Sequence, residues 1–473
     1  MAATYNLGEQ KIRPGVYRRY EKAGNSSVVS AIYGVFAIPV QADFGPLAAV
    51  TVHTEPSTLK KLYGTAGTVD AALALFDGGA TKVLAYRLGT GGTKGTLDLK
   101  DTTASTPVSV VTLTTRYETN KEFSVTVREK LVDDTRKEFL VYDGTNLLET
   151  LEFAADGATE VATLIETINN QSAYFTASKK ADGNGTIAEV STTSVTAGTA
   201  PVVTNNDYST AFDAFEAYKW NMLVLDTVST EVQAVAKAYV DRIFNTGALG
   251  VLLLGEPTKT VTYANRLAHA KAFNDEKVIY AGSGYKNADG EDIDGYLAIA
   301  TQAGIIGSTP SNKSVTHMVI PNAVDTLETL TNGQYEDAIK NGLLLLSVND
   351  EGQVWFDSAI NTLVTPNENQ DDGWKKIRRT STRFELFDRI DRTLAPLIGK
   401  INCDSDGIAD VVTAGQKVID AMVREKKLQL GAKFSENTAI PYAADYAYFN
   451  IEALDYDSLE KIYLTYQFKF AEE

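Results

Sequence analysis

Hydrophobic and polar residues alternate over residues 458–470, SLEKIYLTYQFKF. A period of two with branched and aromatic side chains predicts a β-strand that has one apolar face. Such a strand pairs either with a sheet of its own chain or with a sheet edge of another molecule. We expect the second arrangement. The apolar positions, which we expect to contact a neighbouring molecule, are Ile462, Leu464, Tyr466, Phe468 and Phe470.

The opposite end of the chain, residues 1–25, is polar and has no sustained period. It contains Pro14-Gly15-Val16-Tyr17, which predicts an extended N-terminal arm with a short strand near Val16 and Tyr17. The chain therefore carries a predicted arm at each end, residues 1–25 and residues 457–473.

Strand and helix periods alternate in two separate stretches, residues 26–92 and residues 207–342. This β-α-β-α-β order predicts one parallel sheet with right-handed crossovers, a central α/β domain built from both stretches. Ser229 is a predicted helix N-cap. The predicted strands are residues 28–40, 82–88, 219–225, 251–254, 277–281 and 315–320, and the predicted helices are residues 58–63, 69–76, 230–244, 263–273 and 297–306.

The composition changes after Gly89, where GTGGTKG is typical of a hinge. Residues 93–206 are rich in Thr, Ser and Val, with turn signals between short alternating runs. We interpret them as an inserted, mainly-β domain. Its predicted strands are residues 108–113, 122–128, 139–142 and 149–153, and its one predicted helix is residues 160–169.

The pattern changes again in residues 343–456, for which we predict a C-terminal α+β domain. A hairpin is expected where Asn349-Asp350-Glu351-Gly352 separates two apolar runs. The other predicted elements are a strand at 359–365, helices at 374–397 and 408–428, and a strand at 446–453. The predicted fold class is therefore α/β and α+β multidomain, with extended terminal arms.

One side of the helix predicted at 374–397 is basic, although the net charge of the chain is −17. A solvated helix face and a docking face for an acidic partner both explain this concentration of positive charge. The same net charge argues against a nucleic-acid partner, because phosphate would be repelled. The residues of this basic face are Lys375, Lys376, Arg378, Arg379 and Arg383.

Motifs that suggest chemistry are incomplete. Gly282-Ser283-Gly284 lacks the third glycine of a dinucleotide loop. The stretch Asn402 to Gly407 has the opening of a calcium loop, but Asp is missing at its first position, and the twelfth position is Thr413, where a bidentate Glu is needed. The three histidines, His53, His269 and His317, stand apart, and Cys403 is the single cysteine. We predict no catalytic residue, cofactor or metal. An α/β enzyme acting on a nucleotide or a sugar is the alternative that the parallel sheet leaves open.

Targeting signals are also missing from the pattern. The first residues, MAATYNLGEQ, lack the charged and apolar regions of a secretory signal, and no apolar run is long enough to span a bilayer. We expect the protein to stay in the cytoplasm where it is made, without membrane insertion.

The order of short motifs resembles the tail sheath proteins of contractile bacteriophages and phage-tail-like particles. The resemblance covers roughly three-quarters of the chain and leaves out residues 93–206. The motifs that carry it are Pro14-Gly15-Val16-Tyr17, Phe44-Gly45-Pro46, Leu62-Tyr63-Gly64, Gly78-Gly79-Ala80, KVLAYRL at 82–88, INTLVT at 360–365, Lys376-Ile377-Arg378-Arg379, Ile398-Gly399-Lys400 and SLEKIYLTY at 458–466.

This resemblance implies a structural protein without an active site. Such subunits form hexameric rings that stack into a helical sleeve around a tail tube, between a baseplate and a tail terminator, and the sleeve contracts irreversibly. Both terminal arms lend strands to neighbours, which adds Val16 and Tyr17 to the expected contacts, and the basic face becomes a candidate for docking to the tube or a neighbour. A bacteriocin-like or other contractile injection particle fits the same resemblance.

Overall fold

The computed structural model describes residues 33–157 and 159–469, together with the backbone of Ala3–Thr4 and Tyr17–Arg18. Over these residues the fold is mixed α/β, with several sheets and helices. The chain divides into two units, residues 32–385 with 455–473, and residues 1–31 with 386–454.

A seven-stranded central sheet organises the first unit. Six neighbouring strands are parallel, and the last is an antiparallel edge, so the predicted parallel β-α-β-α-β arrangement is confirmed. The inner strands are continuous apolar runs because both faces of the sheet are covered. The spatial order is Leu343–Leu344, Val278–Ala281, Val251–Gly255, Met222–Val224, Val35–Val40, Lys82–Arg87 and Val50–His53.

Helices cover both faces of this sheet and form two separate apolar cores with it. On one face, Val69–Asp77 packs on Gly295–Ser308, and Gly78 approaches Gly304 so closely that a Cβ on Gly78 would lie 2.5 Å from backbone. Ser229 accepts a hydrogen bond from the amide of Val232, as the predicted N-cap requires. The remaining helices are Pro56–Tyr63, Asn205–Phe215, Thr230–Asn245, Tyr263–Phe273 and Asn332–Asn341.

Two further sheets lie between the Gly89 region and the helix Asn205–Phe215, and their inner faces share one core. The four strands and the helix that we predicted here are present, and three strands were missed. One sheet contains Asn146–Ala154, Asp133–Asp143, Phe123–Lys130 and Val190–Ser194; the other contains Phe175–Lys179, Ser109–Thr115 and Thr96–Lys100; the helix is Glu160–Gln171.

Arg87 joins the end of a central strand to the loops beside it. Its guanidinium is fully buried and donates to the carbonyl oxygens of Ala42 at 2.9 Å, Gly45 at 2.6 Å and Glu118 at 3.0 Å. A guanidinium with its donors aimed at carbonyl oxygens avoids the cost of unsatisfied burial. These bonds connect the central sheet to the loop that follows Val35–Val40 and to a loop of the β-rich region.

Two predicted strands are wrong. Residues 315–320 form only the isolated bridge Val319↔Trp355, because His317 adopts a positive φ of 62° that interrupts an extended strand. Residues 359–365 form only the bridge Ile360↔Lys376. The predicted hairpin is confirmed by the pair Leu346–Val348 and Val354–Phe356, and a small sheet contains Tyr285–Asn287, Asp292–Ile293 and Ala323–Thr326.

The long helix predicted at 374–397 is instead the α-helix Ile377–Leu394, flanked by 3-10 turns at Asp372–Lys375 and Ala395–Leu397. Lys376 is extended, with φ −96° and ψ 126°, and it separates the first turn from the helix. On the other side, Pro396 cannot continue the pattern of backbone hydrogen bonds.

The second unit contains the helix Ser405–Arg424 and an antiparallel pair of strands, Lys433–Glu436 and Phe449–Glu452. Gly415 lies against Phe434, where a Cβ would come within 2.6 Å of the aromatic ring. The strand predicted at 446–453 is present in the shorter form Phe449–Glu452, and its partner strand, Lys433–Glu436, was missed in the sequence. The buried apolar core is Leu386, Ile390, Val418, Ile419, Met422, Leu428 and Phe434.

Candidate assembly surface at the C-terminal arm

The last described residues, 461–469, which we call the distal arm, belong to no sheet among the described residues. The predicted strand is thus absent from the isolated chain. Its apolar side chains are 69–84% exposed. Pairing with a neighbour stays a prediction that this exposure favours. The side chains are Ile462 at 70%, Leu464 at 69%, Tyr466 at 75% and Phe468 at 84%.

The three other predicted contact residues are Val16, Tyr17 and Phe470. Val16 and Phe470 lie outside the described residues, and Tyr17 is described by its backbone alone. Tyr17–Arg18 pairs in parallel with Ala3–Thr4, so the short strand expected near Tyr17 is present.

Exposed apolar residues in a continuous row favour burial against another surface. Covering each of the four side chains contributes about 1.5–3 kcal/mol before the cost of ordering the segment. An extended backbone also offers unpaired amide and carbonyl groups to a sheet edge. The distal arm therefore has both the apolar surface and the hydrogen-bonding groups of an added strand.

The arm root, residues 455–460, lies against the basic face. Arg379 binds Asp455 through two hydrogen bonds, Nε to Oδ2 at 2.7 Å and Nη2 to Oδ1 at 2.8 Å. Arg383 adds a third bond to Asp455 at 3.1 Å and a two-point contact with Asp371. Two-point arginine–carboxylate contacts are strong and directional.

The outer half of the arm root continues the same arrangement. The ammonium of Lys376 lies 2.9 Å from both the Asp457 and the Glu460 carboxylates. Arg378 donates to the Ser458 hydroxyl at 2.8 Å. Four of the five predicted docking residues thus contact the chain itself, and their docking to another molecule stays a prediction.

The pKa values at the arm root agree with these contacts. Burial by itself raises the pKa of Asp455, but the hydrogen bonds from Arg379 and Arg383 outweigh it and lower that pKa. Burial opposes the charge of Lys376, yet hydrogen bonds to Asp457 and Glu460 raise its pKa. The Asp455 carboxylate and the Lys376 ammonium therefore both remain charged at neutral pH.

The acidic partners were missed in the sequence, although a signal was present. Asp455, Asp457 and Glu460 stand directly before the alternating run, and the basic face is the one concentration of positive charge that we identified. Opposite charge alone does not identify partners that lie 72–84 residues apart in the chain. Their contact depends on the fold of everything between them.

The motifs that suggested chemistry serve the fold. Asp404 caps the helix Ser405–Arg424 by accepting from the Gly407 amide, and the Gly284 amide donates to Thr258. Among the described residues no group of three or more His, Cys, Asp or Glu side chains is placed to hold a metal. His53 lies between Thr51 and Thr58, His269 contacts Glu256, and His317 stacks on Trp355 at 4.0 Å.

The position at which a parallel sheet of this kind usually binds a ligand contains a buried carboxyl group. This position lies between Val35–Val40 and Met222–Val224, where the strand order reverses. Asp226 accepts from Thr68 at 2.6 Å and from Tyr208 at 2.8 Å. Burial raises the pKa of Asp226 to about 6. The chain's own side chains thus use the hydrogen-bonding capacity of this carboxyl group.

No helix within the described part of the chain is both long and apolar enough to cross a membrane.

Residues 202–362 match the model of the phage tail sheath protein central domain. The chain is 22% identical over 379 residues to the uncharacterized protein YqbK of Bacillus subtilis (strain 168), covering 76% of this chain and 75% of YqbK. Because YqbK is itself uncharacterized, this similarity indicates a relative and suggests no function.

Solved structures of sheath proteins share the fold. The sheath tail protein Lin1278 of Listeria innocua is 18% identical, with a TM-score of 0.68 over 90% of this chain and 96% of that protein. The contracted helical sheath of the anti-feeding prophage is 11% identical, with a TM-score of 0.53 over 97% and 99% of the two chains. The resemblance to tail sheath proteins is therefore confirmed: residues 202–362 match the phage tail sheath central domain, and the chain has the fold of solved sheath proteins.

Proposed function

We propose that the chain is a structural subunit of a contractile phage tail sheath, without enzymatic activity. It polymerises into a helical sleeve around a tail tube and contracts to drive the tube through a bacterial envelope. The sheath-domain match over residues 202–362 and the shared fold support this proposal.

One observation carries the mode of assembly. Ile462, Leu464, Tyr466 and Phe468 are exposed on a segment that no described strand pairs with. Adding this segment to the sheet edge of a second copy buries the apolar face and satisfies the backbone. Such a head-to-tail contact need not close, so it propagates into a helix.

The partners follow from this assembly. They are copies of the chain in stacked hexameric rings, the tail tube protein, and the baseplate and tail terminator proteins. Val16 and Tyr17 belong to the second exchanged arm. Lys375 and Arg378 make no ion pair within the described residues, so we retain these two for docking to the tube or a neighbour.

The subunit is made in the cytoplasm of the bacterial host and ends in the tail sheath of the particle. The long form of the sleeve is held kinetically, and contraction releases it irreversibly. Flexible joints beside the arms allow subunits to rotate while exchanged strands remain paired.

A bacteriocin-like or other contractile injection particle is the second candidate. The fold shared with the anti-feeding prophage sheath, at a TM-score of 0.53, favours it. Both candidates require the same assembly, and they differ in the particle that contains the sleeve.

Electron microscopy of the purified chain tests the proposal. We expect the full chain to form rings or tubes, whereas a variant lacking residues 457–473 remains folded by circular dichroism and forms neither. Tubes from the truncated variant would contradict strand donation. A compact particle that binds a nucleotide or sugar in calorimetry would instead support the α/β enzyme.

A further inference from the structure

The ion pairs of the arm root differ in burial along its length. At the inner end, the side chains of Asp455 and Arg379 are 5% and 17% exposed. At the outer end, Asp457, Glu460 and Lys376 are 35%, 18% and 30% exposed. Directly beyond this end, every side chain of the distal arm is exposed.

The outer end has one more contact with the body of the chain. The Thr316 hydroxyl donates to the Glu460 carboxylate at 3.2 Å, and it also accepts from the Ala359 amide at 3.0 Å. Glu460 is therefore held from two sides, by Lys376 and by Thr316. Among the described residues, Glu460 is the last one before the distal arm whose side chain contacts the body of the chain.

We propose that the basic face acts as a charge clamp on the arm root and fixes the point from which the distal arm leaves the chain. The clamp has an inner stage at Asp455 and an outer stage at Lys376. Its partner is a segment of the same chain, and its consequence for assembly rests on the proposed strand donation.

The clamp limits the reach of the arm. From Lys461 to Phe468 the eight residues extend at most about 26–29 Å. Release of the arm root would add six residues and about 20 Å. A closed clamp therefore restricts the sheet edges that the distal arm can reach, and it raises the effective concentration of the arm at those edges.

The two stages should respond differently to salt. The Lys376–Asp457 pair, with side chains 30% and 35% exposed, is screened by added ions, whereas Arg379–Asp455 is mostly withdrawn from water. Raising the salt concentration should therefore free the outer stage first.

Proteolysis of the full, unpolymerised chain by a glutamate-specific protease tests the outer stage, because Glu460 is itself a cleavage site. We expect Lys376→Gln to increase the rate of cleavage after Glu460 roughly threefold to tenfold. Sodium chloride at about 1 M should increase the rate in the unaltered chain in the same direction.

Lys375→Gln is the matched control, since it removes the same charge one residue away and no described ion pair involves Lys375. Its cleavage rate should equal that of the unaltered chain. Equal rates for Lys376→Gln and the unaltered chain would overturn the clamp.

The clamp and the proposed function fail in different experiments. If Lys376→Gln leaves cleavage unchanged while loss of residues 457–473 abolishes tubes, the clamp is wrong and strand donation stands. If cleavage accelerates as expected but the truncated chain still forms tubes, the clamp stands and strand donation is wrong.

Discussion

Arg379 binds Asp455 across 76 residues of sequence, with both donor–acceptor distances below 3 Å. The pair connects the first turn of the helix Ile377–Leu394 to the start of the arm root. Because both side chains are largely withdrawn from water, each needs opposite charge nearby, and Arg383 adds a second cation beside Asp455.

Asp455→Asn should therefore destabilise the fold. The substitution replaces the carboxylate that contacts Arg379 and Arg383 with a neutral amide, and we expect a loss of about 1–3 kcal/mol in the free energy of unfolding. Urea unfolding followed by circular dichroism measures it. Asp350→Asn, on an exposed loop, is the charge-matched control and should change the free energy by less than about 0.5 kcal/mol.

The pH dependence of this difference follows from the lowered pKa of Asp455. A carboxyl group whose pKa is lower in the folded chain stabilises the fold above its unfolded pKa of about 3.9, and this contribution is lost as the pH falls further. The unaltered chain and Asp455→Asn should differ fully at pH 6–8 and converge below about pH 4. A difference that persists unchanged in acid would contradict the role of the carboxylate.

Asp226 should have the opposite pH dependence. Burial raises its pKa to about 6, so the folded chain binds its proton more tightly than the unfolded chain does. Its contribution to stability is then present below about pH 4 and is lost as the pH rises through 6. We expect Asp226→Asn to reduce the decline in stability between pH 5 and pH 7.5 by about 1–3 kcal/mol.

Thermal unfolding at the two pH values measures the effect of Asp226. Asp289→Asn, at an exposed position, serves as the control. It should have the same pH dependence of stability as the unaltered chain. An Asp226→Asn profile parallel to that of the unaltered chain would show that the carboxyl group does not titrate in this range.

Two helical glycines form a matched pair for packing. A Cβ at Gly415 would come within 2.6 Å of the Phe434 ring, whereas a Cβ at Gly333 would meet nothing within 4 Å. We expect Gly415→Ala to destabilise the chain by about 1–3 kcal/mol, although alanine favours helices. Gly333→Ala should be neutral or stabilising by up to about 1 kcal/mol. Chemical denaturation compares them, and equal effects would contradict the close approach of Gly415 and Phe434.

Elements with a local signal could be predicted from the sequence. Tyr263–Phe273 was predicted with its observed bounds, and Ser229 was identified as a cap from its own neighbours. Asn205–Phe215 was missed although Thr204 and Asp207 form a capping box, a local signal at the boundary of the predicted β-rich domain.

Elements that depend on distant contacts could not be predicted in this way. Residues 359–365 have the branched residues of a strand, yet Asn361 donates to Trp374 and Thr362 donates to Asp275. These side-chain bonds hold a buried irregular segment that tertiary context, not propensity, determines. The same holds for the arm root at the candidate site. Its acidic residues meet their basic partners only in the folded chain, so the sequence alone could not predict these contacts.

The alternation of the distal arm predicts that one face dominates assembly. Leu464→Asp with Phe468→Asp should abolish polymerisation, since burial of two charges in an added strand is costly. Thr465→Asp with Gln467→Asp adds the same charge to the opposite face and should reduce polymerisation less. Analytical ultracentrifugation quantifies both pairs, and equal loss would show that one apolar face does not direct assembly.

Hydrogen exchange of residues 461–469, compared between the unpolymerised chain and the assembled tubes, tests strand donation most directly. We expect fast exchange in the free chain and at least about hundredfold slower exchange in tubes, because ladder hydrogen bonds protect amides. Exchange that stays equally fast in tubes would contradict the claim that this segment joins a neighbour's sheet.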